Sequence, residues 1–192
     1  MARKNIVVFG AGALGSLIAA YLTRAGLPAT VADPWYAHMV AIQRNGLHVT
    51  DPDEEFTVPM RALHHDQLRE VAPIDILFLS VKSMDTELAT PYVAPYLLPD
   101  GFIVSARNSL NEETIPSIVG PERTIGMAAT RLTCAVYEPG VLLRHSSVRD
   151  KVFQVGVPTP MNAAITEAIH RVDDGDLKPG VTNLELFREY VQ

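Results

Sequence analysis

The chain has 192 residues, enough for one sizeable hydrophobic core with a small appendage. Hydrophobic residues make up 47% and charged residues 20%, an ordinary globular balance, and the net charge of −6 disfavours nucleic acid or an anionic membrane surface as main partner. One cysteine, Cys134, excludes an internal disulfide and points to a reducing cytoplasm, and no run approaches the roughly 18 apolar residues of a membrane span.

In chain order, Arg3-Lys4 precedes a short apolar run that breaks at Gly10, so a signal peptide is not expected. Asn5–Phe9 is β-branched and ends at glycine, which predicts a buried parallel strand. From Ala13 to Ala25, Leu14, Leu17, Ile18, Tyr21 and Leu22 share one helical face, and Gly26 closes the helix. Ala29–Ala32 predicts a second strand, ended by Asp33-Pro34, which completes a βαβ unit. A helix follows over Pro34–Asn45. Leu47–Thr50 and Phe56–Pro59 flank an acidic turn and predict a hairpin. A short helix near His65–Val71 leads into the strongest strand, Ile74–Val81. Thr86–Leu98 predicts a helix interrupted by Pro91 and Pro95, then a strand over Phe102–Ser105, a helix from Leu110 and a strand over Thr124–Ala129. Val141–Arg144 and Val152–Val155 are expected to pair with each other, antiparallel.

The composition changes at Val157. Thr159-Pro160 predicts a helix start, and Met161, Ile165, Ala168, Ile169 and Val172 form an apolar stripe. After the linker Lys178–Gly180, Thr182 and Glu185 have capping-box spacing for a last helix. The expected organisation is a domain over 1–156 and a helical segment over 157–192. A stripe left without its core favours association, so a homo-oligomer is expected.

Gly10-Ala11-Gly12-Ala13-Leu14-Gly15 fits G-x-G-x-x-G between a strand and an amphipathic helix, the context in which the motif carries weight. The first glycine serves a tight turn, the second lets the backbone approach a pyrophosphate, and the third lets helix and strand pack closely. Asp33 follows Gly15 by 18 residues, where a carboxylate accepts from a ribose diol and repels a 2′-phosphate. The fold class is therefore α/β, a Rossmann-type doubly wound, mainly parallel sheet with a helical tail. The cofactor is NAD or NADP, with NAD preferred; a turn-capping role for Asp33 is the alternative, and Arg24, His38 and Arg44 are candidate phosphate contacts. The His64-His65 pair fits a polar helix start better than a metal site, and Cys134 fits a structural thiol better than a nucleophile.

Two further clusters follow the strands: Val81-Lys82-Ser83 with Asp85, and Asn108-Ser109-Leu110-Asn111-Glu112-Glu113. With the glycine loop and Asn45-Gly46-Leu47, they resemble the ketopantoate reductase (2-dehydropantoate 2-reductase) family from about Asn5 to Gly156. The resemblance implies reduction of a small branched 2-keto acid, usually with NADPH, on the route to pantothenate. It also implies that Lys82 lies beside the cofactor and that Asn108 lies near nicotinamide and substrate. A solvated Lys82 and a helix-capping Asn108 are the alternatives. The family usually has Asn-Gly where this chain has Asn108-Ser109.

Gly156–Asn162 and the helix after it resemble the last segment of a full-length ketopantoate reductase. The helical domain that the family carries between these parts has no counterpart in the sequence, and with it goes the family's catalytic lysine; neither Lys151 nor Lys178 matches it. Two origins stay open: a deletion joined near Val155–Val157, or a middle segment missing from the given sequence. Three functions follow: a reductase of this type, a dinucleotide-binding module without turnover, or another 2-hydroxy or opine-type acid dehydrogenase. Without a general acid, hydride transfer to a ketone is expected to slow by roughly 10²–10⁴-fold.

Overall fold

The structure is a computed structural model and describes residues 4–106, 114–129, 132–145 and 153–155. Strand β1 (Ile6–Phe9) is an inner strand of the main sheet, and every one of its residues is buried. Ile6 and Val8 face one layer while Val7 and Phe9 face the other, as the two-residue period of a strand requires. Helix α1 (Ala13–Arg24) then crosses to β2 (Ala29–Asp33), which pairs parallel with β1 in the register Ile6–Ala29 to Phe9–Ala32. The predicted βαβ unit is thus present within two residues at each boundary.

Helix α2 (Tyr36–Asn45) ends at Gly46 and leads into the predicted hairpin, β3 (Leu47–Thr50) with β4 (Glu55–Val58). Asp51 makes the acidic turn by accepting the Asp53 and Glu54 N–H groups, both at 2.8 Å. Strand β5 (Arg61–His64) was not expected: only four residues long, it lies between Pro59 and a 3-10 helix and has no periodic pattern of its own. It closes one edge of the main sheet against β2. The predicted short helix is that 3-10 turn, His65–Val71, which His64 and Gln67 begin with a capping box.

Strand β6 (Ile74–Leu79) pairs parallel with β1 on the side opposite β2. Helix α3 (Thr86–Val93) contains Pro91, and a 3-10 turn over Ala94–Tyr96 follows, so the predicted interruption falls late. Strand β7 (Leu97–Ala106) begins earlier than predicted, its irregular start held by Arg123, which donates to the carbonyls of Gly101 and Leu98 at 2.8 Å. Helix α4 is described from Thr114 to Val119, and β8 (Thr124–Ala129) matches its prediction.

The last strands correct the expected pairing. Strand β9 (Cys134–Glu138) was missed, and β10 (Val141–Arg144) pairs antiparallel with it and parallel with the distant β3. Strand β11 (Phe153–Val155) instead pairs antiparallel with β8 in the main sheet. Sequence proximity suggested one pair, whereas the buried face of β10 belongs with α1. The result is a seven-stranded sheet, β11-β8-β7-β6-β1-β2-β5, parallel except at β11, and a four-stranded sheet, β4-β3-β10-β9.

Two cores flank the main sheet. One holds Leu17, Ile18, Val31, Ile42, Val49 and Leu142, under α1 and the second sheet; the other holds Leu68, Leu77, Leu79, Val93, Ile103 and Ile115, under α3 and α4. Between α1 and the second sheet runs a buried polar line. Tyr21 donates to Asp51 at 2.9 Å and accepts from Arg144 at 3.3 Å. Burial foremost, with the Asp51 bond, pushes the Tyr21 phenol up to about 12.

Candidate dinucleotide site at the switch point

The order of strand addition reverses between β1 and β6: from β1 the strands run out to β2 on one side and to β6, β7 and β8 on the other. In a doubly wound sheet the carboxyl ends of the strands open a crevice at that reversal. Gly10 stands there with φ +96°, and its N–H donates to Ala32 at 2.9 Å. A Cβ at Gly10 would lie 2.8 Å from the Ser80 backbone, and one at Gly15 would lie 1.9 Å from the Gly10 carbonyl oxygen. Both glycines are therefore demanded by the fold itself.

Gly12 differs. It is exposed, its backbone is extended (φ −66°, ψ −168°), and a Cβ there would meet nothing within 4 Å. Among the described residues no packing asks for glycine, and the open face lies at the N-terminus of α1, where unpaired N–H groups and the helix dipole favour an anion. Ala11, Ala13 and Leu14 complete the loop, Ala11 fully buried and the others half-buried.

Asp33, at the end of β2, holds this loop. Its Oδ2 accepts the Ala11 N–H at 2.7 Å and its Oδ1 accepts the Trp35 N–H at 2.7 Å. It thus caps the β2–α2 turn and ties that turn to the glycine loop, and each oxygen keeps a second lone pair. Lys82 is exposed three residues beyond β6, on the same edge of the sheet as Gly10 and Asp33. Asn108, the helix start at Leu110 and the whole segment 157–192 lie outside the described residues.

The three candidate phosphate contacts do not gather at Asp33. Arg24 ends α1, pairs with Glu54 and lies 4.3 Å over the Phe56 ring. Arg44 is at the far end of α2, beside Gly46 and Arg61 at the amino edge of the sheet. His38 is fully buried, with Trp35 stacked on it at 4.9 Å. Its ring accepts the Gly140 N–H at Nδ1 (2.8 Å) and meets the Ser16 hydroxyl at Nε2 (3.2 Å). Burial holds its pKa below the usual value, against the Asp33 charge and the Ala11 carbonyl. Sequence reasoning offered His38 only as a candidate phosphate contact and did not single out Ser16, which lies among the apolar residues of α1. Ser80 was missed as well. Its hydroxyl is buried without a partner among the described residues, directly beneath Gly15.

Cys134 is half-buried, and burial raises its thiol pKa, the opposite of an activated nucleophile. Among the described residues no His, Cys, Asp or Glu cluster has metal-site geometry, and no helix is long and apolar enough to cross a membrane.

Comparison with known proteins adds the lineage. The family model for ketopantoate reductase PanE/ApbA matches residues 6–156. The chain belongs to the ketopantoate reductase family. A 2-dehydropantoate 2-reductase of Mesorhizobium japonicum is 30% identical over 176 residues, covering 81% of this chain and 52% of that protein. The 2-dehydropantoate 2-reductase of Porphyromonas gingivalis superposes with a TM-score of 0.69 at 23% identity, over 82% of this chain and 56% of the other. D-mandelate dehydrogenase, solved with NADH and anilino(oxo)acetate, superposes with a TM-score of 0.67 at 19% identity, over 90% and 55%. These likenesses show a Rossmann-type α/β fold. The chain spans about half the length of the curated relatives it matches.

Proposed function

We propose that residues 1–156 bind NAD or NADP, with NAD preferred, and that the chain is an NAD(P)-dependent reductase of the ketopantoate reductase type acting on a small 2-keto acid. The observation that carries this is Gly12: a glycine that the packing of the described residues does not need, with an open face at the start of α1. Its backbone and the first turn of α1 would hold the pyrophosphate, together with Gly10, Ala11, Ala13, Leu14 and Gly15. The remaining lone pairs of Asp33 would accept the ribose hydroxyls, and its charge would repel a 2′-phosphate. When bound, the cofactor supplies the hydride. Lys82 stands on the edge where it would meet cofactor or substrate carboxylate, and Asn108 joins it on the strength of the family resemblance. Helical segment 157–192 is part of the proposal as a second unit that drives self-association, in a cytoplasmic protein.

The test is titration of the chain with NADH and NADPH by nicotinamide fluorescence, followed by ketopantoate and absorbance. NADH is expected to bind about tenfold more tightly than NADPH, a difference near 1.4 kcal/mol. Absence of binding to either refutes the reading. Binding without oxidation by ketopantoate leaves a dinucleotide-binding module and removes the reductase.

A further inference from the structure

The Ala11 peptide units are held from both sides. Asp33 takes the Ala11 N–H, and the Ser16 hydroxyl donates to the Ala11 carbonyl at 2.9 Å, buried. Behind Ser16 stands His38. The Gly140 N–H can only donate, so Nδ1 of His38 accepts and Nε2 carries the proton, which it gives to the Ser16 oxygen. Ser16 in turn gives its own proton to Ala11. The donors run one way, from the β9–β10 turn through α2 and α1 to the glycine loop. Gly140 itself belongs to a seated turn: its carbonyl accepts from His48 at 2.9 Å, and a Cβ added there would lie 3.0 Å from the Ala41 side chain of α2.

A trans peptide points its C=O and the next N–H in opposite directions. Drawing the Ala11 carbonyl inward therefore aims the Gly12 N–H outward, to the open face of the loop. We infer that Ser16 and His38 are positioning residues that preset the Gly12 N–H for an anionic dinucleotide; this rests on the dinucleotide reading above. The relay does not touch the ligand. It removes the freedom of one peptide to rotate, so that the donor is in place before binding.

The two ring nitrogens can be tested apart. Asparagine places its amide oxygen where Nδ1 stands, keeping the Gly140 bond and losing Ser16. Glutamine places its amide nitrogen near Nε2, keeping Ser16 and losing Gly140. In the full chain, well below the unfolding midpoint, Ser16→Ala and His38→Asn are expected to weaken NADH by about five- to tenfold, the worth of one oriented hydrogen bond. His38→Gln is expected to stay within about twofold of the parent, although both His38 variants lower the unfolding midpoint. In the ligand-free protein, the amide resonance of Gly12 moves in Ser16→Ala.

Equal NADH affinity of the parent and Ser16→Ala overturns the inference alone, as does a His38→Gln loss as large as that of His38→Asn. An unmoved Gly12 resonance in Ser16→Ala overturns the relay whatever the ligand affinity. A parent chain that binds neither dinucleotide overturns the functional reading, and the inference with it.

Discussion

Replacing Gly12 by alanine separates folding from binding. At φ −66° and ψ −168° an alanine fits without strain, and its Cβ would meet nothing within 4 Å. Two small effects on stability oppose each other. Alanine restricts the unfolded chain and stabilises by about 0.4–1 kcal/mol, but at a helix N-cap it is worse than glycine by up to about 1 kcal/mol. Net stability should change by less than about 1 kcal/mol. Binding should not escape so lightly. On the proposed placement the new methyl would stand where the pyrophosphate approaches the backbone, and losing one hydrogen bond to a charged group costs about 1.5–3 kcal/mol, or roughly ten- to a hundredfold in Kd. Urea denaturation and NADH titration on the same preparation read both quantities. Unimpaired NADH binding by Gly12→Ala would refute the placement of the pyrophosphate. A loss of several kcal/mol in stability would refute the claim that the fold leaves this face open. Gly15→Ala supplies the contrast: its Cβ would fall 1.9 Å from the Gly10 oxygen, and the overlap should cost about 1–3 kcal/mol in folding.

Three other outcomes follow from the same geometry. Tyr21→Phe removes the hydroxyl that donates to Asp51 Oδ2 and accepts from Arg144 at the part-buried seam between α1 and the second sheet, and should cost about 1–3 kcal/mol by urea denaturation; a change below a few tenths would show that water replaces the hydroxyl. Because His38 has a lowered folded pKa, the unfolded chain takes up a proton that the fold resists. Its contribution is intact above the ordinary value of 6.5 and is lost as pH falls below it towards the lowered folded value, with a slope of up to about 1.4 kcal/mol per pH unit. His38→Gln should remove that part of the slope, and parallel pH profiles for the two proteins would contradict it. Cys134, with its thiol pushed up by burial, should react with a thiol-specific reagent at neutral pH more slowly than in the urea-unfolded chain; equal rates would show an accessible thiolate.

What the sequence determined alone was local and periodic. The run Ile6–Phe9, the stripe from Leu14 to Leu22 and the glycines between them specify strand, turn and helix within one continuous segment, and the structure keeps them. The hairpin over Leu47–Val58 was legible for the same reason, since its strands are joined by a short turn. Pairing at long range was not legible. Strand β10 finds its partner in β3, far upstream, because α1 needs a sheet to cover its outer face, and nothing in Val141–Arg144 names that partner. The site divides the same way. The order of Gly10, Gly12, Gly15 and Asp33 carries the expectation of a dinucleotide loop, whereas the bond from Asp33 to Ala11 and the bonds through Ser16 and His38 exist only once α2 lies beside α1. A motif records which backbone must be unhindered. Only the packed structure decides which buried polar groups orient that backbone, because their partners come from elements that the sequence keeps apart.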